Sequence, residues 1–90
     1  MTYRLTLSPH AVRAYQKLDP SRKSRIQAAL DSLLDQPLAG PQVKRLKGRL
    51  HEYCRYRVGD YRVIYSVAKE ERVIYVDYVQ HRKDVYRSIG

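Results

Sequence analysis

Residues 50–65 read L-H-E-Y-C-R-Y-R-V-G-D-Y-R-V-I-Y, from Leu50 to Tyr65, and predict a β-hairpin. Two runs rich in tyrosine, valine, isoleucine and arginine flank the pair Gly59-Asp60, which suits a two-residue hairpin loop. This loop sets the register of the two strands. The paired residues would be Val58 with Tyr61, Arg57 with Arg62, Arg55 with Ile64, and Tyr53 with Ser66.

Successive side chains of a strand point to opposite faces of the sheet, so this register gives the hairpin two different faces. The apolar face, a candidate core, would consist of Cys54, Tyr56, Val58, Tyr61, Val63, Tyr65 and Val67. The other face would carry Tyr53, Arg55, Arg57 and Arg62. Arg57 opposite Arg62 is a like-charge pair, which lowers stability. Folding alone does not explain such a face, and we interpret it as a binding surface for a polyanion.

The composition supports this interpretation. Eighteen lysines and arginines stand against nine acidic residues, and the formal net charge is +9. This balance favours nucleic acid or an acidic protein as the partner. The single cysteine, Cys54, excludes an internal disulfide and is expected to be a buried thiol, and no metal site or cofactor is predicted.

The length predicts one domain spanning residues 1–90. The sequence has no apolar run of the length that a signal peptide or a membrane span needs, so we expect a cytoplasmic protein without membrane contacts.

The rest of the chain predicts an α+β fold in the order β-α-α-β-β-β-(α). An antiparallel helical hairpin would pack on one face of a largely antiparallel four-stranded sheet and leave the other face open. Ser8-Pro9 and Asp19-Pro20 are N-cap and first-turn signals for the two helices. The predicted segments are a strand at 3–7, helices to about 18 and 35, an irregular stretch at 38–48, a central strand at 72–80 and a short helical or irregular tail at 81–87.

Three segments together resemble the RelE/ParE superfamily of toxins from bacterial and archaeal toxin–antitoxin pairs. They are V-K-R-L-K-G at 43–48, R-Y-R-V-G-D-Y-R-V-I-Y at 55–65 and H-R-K-D-V-Y at 81–86. The most specific is the spacing R-x-R-x-G-x-Y-R-x-x-Y. The resemblance implies a small toxin held inactive by a cognate antitoxin. In the RelE branch the toxin enters the ribosomal A site and cleaves mRNA there, and in the ParE branch it inhibits DNA gyrase.

The RelE branch implies metal-independent cleavage by attack of the ribose 2′-OH. Its catalytic residues would be Arg55, Arg62, Arg82 and Tyr86. The RNA-binding residues would be Lys44, Arg45, Lys47, Tyr53, Arg57, His81 and Lys83. The implied partners are the ribosome, mRNA and an antitoxin with an acidic or amphipathic segment, and operator DNA would be reached only through that antitoxin.

Several alternatives stay open at this level. Some RelE-type toxins carry lysines, one proposed as general base, where this chain has Tyr53 and Arg55, and an arginine is a poor base. The base is therefore unassigned, and His81 is either the base or a contact for phosphate or antitoxin. His10 and His51 are expected to be structural or exposed. The basic surface would also suit a gyrase inhibitor, an RNA-binding module without chemistry, or a surface that only binds the antitoxin, and the basic cluster at 44–47 would also suit a solvated loop.

Overall fold

The structure, a computed structural model, describes residues 3–46, Gly48 and residues 52–81. Over these ranges the chain forms two helices and five strands. In chain order the elements are β1 (Arg4–Leu7), α1 (Pro9–Gln16), α2 (Pro20–Asp35), β2 (Val43–Arg45), β3 (Tyr53–Val58), β4 (Tyr61–Ala68) and β5 (Val73–His81). The predicted tail beyond His81 lies outside the described residues, and His81 itself ends β5.

Both helices begin where the sequence predicts. The Ser8 hydroxyl accepts a hydrogen bond from the Ala11 backbone N–H at 3.0 Å, and Asp19 accepts one from the Arg22 N–H at 2.8 Å. Each cap satisfies a backbone donor that has no partner within its helix. The bond from the Arg22 N–H is the main reason that the pKa of Asp19 lies below its ordinary value.

The strands form one sheet in the order β1-β5-β4-β3-β2. Every neighbouring pair is antiparallel except β1 and β5, which run parallel. The α+β prediction is confirmed, and β5 lies inside the sheet as expected, between β1 and β4. The strand count differs, because residues 43–45 form β2 within the stretch that was expected to be irregular.

β2 forms because its backbone pairs with the edge of β3. Val43 pairs with Tyr56, Lys44 with Arg55, and Arg45 with Cys54. Further hydrogen bonds extend the contact at both ends, from the Arg57 N–H to the Gln42 carbonyl and from the Leu46 N–H to the Tyr53 carbonyl. A segment of only three residues has little strand preference of its own, so the pairing with β3 decides the conformation of β2.

The predicted hairpin register is confirmed residue for residue between β3 and β4. Gly59 has a φ of 58°, which is the left-handed conformation that the two-residue loop requires. The apolar side chains of the hairpin face the two helices. The buried core consists of Ala11, Ile26, Leu30, Leu33, Cys54, Val63, Tyr65, Ile74, Val76 and Val79. Neither of the two helices in the described ranges has the length and apolar content to span a membrane.

Tyr65 joins the core to the loop after α2. Its side chain is 0% exposed, and its hydroxyl donates a hydrogen bond to the carbonyl oxygen of Pro37. Burial raises the pKa of this hydroxyl, so it stays a donor. The bond ties β4 to residues 28 positions away in the sequence and fixes the path toward β2.

Replacing Tyr65 with phenylalanine is expected to lower the free energy of unfolding by about 1–2 kcal/mol, because a buried carbonyl loses its partner while the ring remains. Urea denaturation followed by circular dichroism measures this change. Tyr75→Phe is the matched control, since Tyr75 is 39% exposed and should tolerate the same chemical change. Equal stabilities of the two variants would contradict a structural role of the Tyr65 hydroxyl.

Candidate nucleic-acid interface

The sheet face opposite the helices carries a group of cations on three adjacent strands. We call Lys44 (β2), Arg55 and Arg57 (β3) and Arg62 (β4) the arginine face. The pairing places them in two rows across the sheet. One row is Lys44, Arg55, Ile64 and Tyr78, and the next is Arg57, Arg62 and Gln80. Neighbouring strands are about 4.8 Å apart, so the four cationic side chains project from one small patch.

Arg62 lies at the centre of this patch and is half-buried. Its Nη1 atom is buried and has no hydrogen-bond partner among residues 3–46, 48 and 52–81. A buried donor without an acceptor costs stability. A phosphate oxygen would supply that acceptor and pair with the charge. Arg62 is therefore the residue of this face whose surroundings point most directly to an anionic ligand.

Beside the cations, the same face carries tyrosines and the Asp77 carboxylate. Tyr53 (β3) and Tyr75 (β5) are on either side of Ser66 (β4), and Tyr75 is exposed. The Asp77 carboxylate, which accepts a hydrogen bond from the Tyr53 hydroxyl, raises the pKa of that hydroxyl. The face thus offers guanidinium groups for phosphates and aromatic rings on which bases can stack.

The structure brings together five of the predicted site residues, and two others lie elsewhere. Lys44, Tyr53, Arg55, Arg57 and Arg62 share the open face. Arg45 pairs with Cys54, and His81 pairs with Tyr61, so both alternate toward the helix side of the sheet. Four predicted residues lie outside the described ranges: Lys47, Arg82, Lys83 and Tyr86.

A β-bulge accounts for the position of His81. Tyr78 pairs with Ile64 and Val76 with Tyr65, so Asp77 is an extra residue in β5. One extra residue switches the alternation, and without it His81 would face the arginines. Instead the His81 ring packs edge to face against the Tyr61 ring, with the two centroids 5.3 Å apart. His81 lines a cleft of about 70 Å³ between the hairpin and α2.

The bulge also contains functional candidates that the sequence pattern did not predict. Asp77 and Tyr78 both lie at the open face, and the ring of His10 (α1) meets that of Tyr78 edge to face at 5.1 Å. A single acid inside the apolar run 73–79 was the signal that could have drawn attention to Asp77. Across the described ranges, no group of three or more histidine, cysteine or acidic side chains is placed to hold a metal ion.

A helical hairpin on one face of a small sheet and cations on the other are features of the RelE/ParE superfamily of toxins. The profile of the family described as ParE toxin of type II toxin–antitoxin system, parDE, matches residues 5–86. The chain belongs to this family.

The similar proteins include RelE toxins. A candidate toxin, RelE1, of Methanocaldococcus jannaschii is 26% identical over 90 residues, covering 98% of this chain and 99% of that protein. The archaeal RelE–RelB complex of Pyrococcus horikoshii contains a chain with 34% identity and a TM-score of 0.78, covering 91% of this chain and 97% of that one. The RelBE2 toxin–antitoxin complex of Mycobacterium tuberculosis contains one with 26% identity and a TM-score of 0.79, at 91% and 100% coverage.

Replacing Arg57 with threonine is expected to raise the free energy of unfolding by about 0.5 kcal/mol, because the like-charge pair with Arg62 disappears. Denaturation at low and high salt checks the cause, since salt screens the repulsion and should shrink the gain. Arg4→Thr, an exposed strand position opposite Val73, controls for strand preference. A gain that is equal in both variants, or independent of salt, would contradict the repulsion.

Proposed function

We propose that this type II toxin is a ribosome-dependent endoribonuclease that cleaves mRNA in the A site. The observation that carries the proposal is the arginine face, with the half-buried Arg62 at its centre and an Nη1 atom that no described residue accepts from. Similarity to chains named RelE, including one at 34% identity, supports the RelE branch. The same surface is where the like-charge pair of Arg57 and Arg62 lowers stability without any gain to the fold.

The proposed reaction makes three demands on the site. The ribose 2′-OH must lose a proton, the phosphorane must be stabilised as negative charge develops, and the leaving 5′-oxygen must gain a proton. Arg55 and Arg62 are assigned to stabilising the phosphorane, together with Arg82 from the segment after β5. Tyr86 is assigned to stacking on a base or to proton transfer. The products would be a 2′,3′-cyclic phosphate or 3′-phosphate and a 5′-hydroxyl.

The remaining cations are assigned to binding. Lys44 and Arg57 flank the two catalytic arginines on the sheet, and Tyr53 offers a ring beside them. Arg45 and His81 point to the other side of the sheet, so they would contact a second surface of the ribosome or the antitoxin. Lys47 and Lys83 complete the proposed set.

The proposed regulator is a cognate antitoxin. The Pyrococcus and Mycobacterium relatives were each solved with their antitoxin, which supports such a partner here. An acidic or amphipathic segment of it would neutralise the arginine face and block access of RNA. Contact with operator DNA would run through the antitoxin alone, and the complex would act in the cytoplasm.

Arg62→Ala is expected to slow mRNA cleavage by about 100-fold, equivalent to ~3 kcal/mol, by analogy with removal of an oxyanion-hole donor. Primer extension on mRNA bound to programmed ribosomes measures the rate and the cut positions. Arg13→Ala removes an exposed arginine from α1 and should cleave as fast as wild type. Intact message with the wild-type protein would overturn the nuclease proposal, and full activity of Arg62→Ala would overturn the role of this residue.

A second candidate is inhibition of DNA gyrase without nuclease activity. The family profile favours it, since that family is described as ParE toxin. So does the absence of lysine at positions 53 and 55 of β3, where some RelE-type toxins carry a lysine base. We expect purified gyrase to supercoil a relaxed plasmid at its normal rate in a molar excess of the protein. Inhibition there, together with intact mRNA on ribosomes, would assign the chain to this second function.

A further inference from the structure

Among the described residues, Asp77 is an acidic side chain that shares the open face with the arginines. In β5, Asp77 is the extra residue of the bulge between the pairs Val76–Tyr65 and Tyr78–Ile64. Tyr78 belongs to the row that contains Arg55 and Lys44, so Asp77 is next to that row. Arg55 on β3 lies two strand spacings from β5, which is about 10 Å across the sheet from this position. A ribose and its phosphate would bridge such a separation between a carboxylate and long arginine side chains.

The bulge is held in place by the start of α1. Ser8, the N-cap residue, donates its backbone N–H to the Val76 carbonyl at 2.9 Å and its hydroxyl to the Asp77 carbonyl at 2.7 Å. The same hydroxyl accepts the Ala11 N–H, so one side chain caps the helix and pins the bulge. β-Bulges re-aim side chains and are frequent beside functional sites. Asp77 is therefore fixed by backbone contacts on both sides of the extra residue.

The carboxylate itself is oriented by neighbours on the open face. The Tyr53 hydroxyl, from β3, donates a hydrogen bond to it across the intervening strand. Tyr78 is next to Asp77 in the chain, and His10 of α1 packs edge to face on its ring. A half-buried carboxylate beside a patch of four cations suits a proton acceptor, which guanidinium groups cannot be.

We propose that the Asp77 carboxylate is the general base of RNA cleavage and that Ser8 and Tyr53 position it. The assignment rests on the proposed nuclease function and gives it the proton acceptor that the arginines cannot supply. Asp77 takes the proton of the ribose 2′-OH, whose oxygen forms a bond to the adjacent phosphorus. The bond from phosphorus to the 5′-oxygen breaks, and that oxygen takes a proton from water. Asp77 then returns its proton to the solvent, and the products are a 2′,3′-cyclic phosphate and a 5′-hydroxyl.

This assignment replaces His81 as the candidate base. The bulge leaves Asp77 on the open face, where the Tyr53 hydroxyl bonds to it, and turns His81 toward Tyr61 and α2. Both cannot serve one phosphate on the open side of the sheet. The geometry therefore favours the Asp77 carboxylate over His81 as the general base.

The test uses single-turnover cleavage of mRNA on programmed ribosomes, together with binding measurements on the same ribosomes. Asp77→Asn keeps the shape of the side chain and an acceptor for Tyr53 but removes the base. It should slow cleavage by about 100-fold or more. Binding to the ribosome should be unchanged or tighter, because the variant removes a negative charge from a cationic face. Asp31→Asn, on the exposed side of α2, is the matched control and should behave as wild type.

A second variant separates base catalysis from a structural role. Asp77→Ala leaves space for a small carboxylate, so added formate should restore part of the rate, while chloride at equal ionic strength should not. Cleavage by Asp77→Asn within threefold of wild type, or loss in Asp77→Ala that formate does not restore, would overturn the assignment and leave the nuclease proposal intact. Failure of the wild type to cleave would overturn both.

Discussion

The register of the β3–β4 hairpin is the constraint on which the rest of the structure depends. Because strand side chains alternate, one register decides both which residues enter the core and which cations face outward. Val63 and Tyr65 are 0% exposed on the helix side, while Arg62, which directly precedes Val63, lies on the other side. A slip by one residue would bury arginines and expose the core. The stability of the fold and the chemistry of the open face are thus set by the same pairing.

The open face lowers the stability of the fold, and the core on the other face of the sheet offsets that loss. Arg57 opposite Arg62 is repulsive, and the Arg62 Nη1 atom is buried without an acceptor among the described residues. The core supplies the compensating stability through closely packed valine, isoleucine and leucine side chains and through the bond from Tyr65 to Pro37. Local features that lower stability are common where a protein binds a ligand, since binding energy is gained there later.

Membership of this family makes the chain a type II toxin but does not select between the RelE branch and the ParE branch. The matching profile is described as ParE, whereas the similar chains with solved structures at 34% and 26% identity come from complexes named RelE–RelB and RelBE2. Both names attach to one fold, and a fold by itself does not select a reaction. The choice therefore rests on the chemistry of the open face, where guanidinium groups, tyrosine rings and the Asp77 carboxylate meet. That combination is the basis of the proposed nuclease function.

The sequence by itself determined the local features of this protein. The hairpin loop at Gly59-Asp60, the two helix caps and the division of β3 and β4 into two faces all depend on residues within a few positions of each other. Their physical causes are the left-handed loop residue, the capping hydroxyl or carboxylate and the alternation of strands. From these alone, the sequence predicted the α+β class and the grouping of Arg55, Arg57 and Arg62.

Only the tertiary structure decided the features that depend on distant partners. β2 forms because β3 presents an edge, and the bulge at Asp77 forms where Ser8, 69 residues away, bonds to its carbonyl. That bulge turns His81 away from the arginine face, while Asp77 and Tyr78 both lie on it, a change of alternation that no local pattern in β5 reveals. Strand pairing and bulges are set by backbone hydrogen bonds between remote segments, and these are formed only when the whole sheet is assembled.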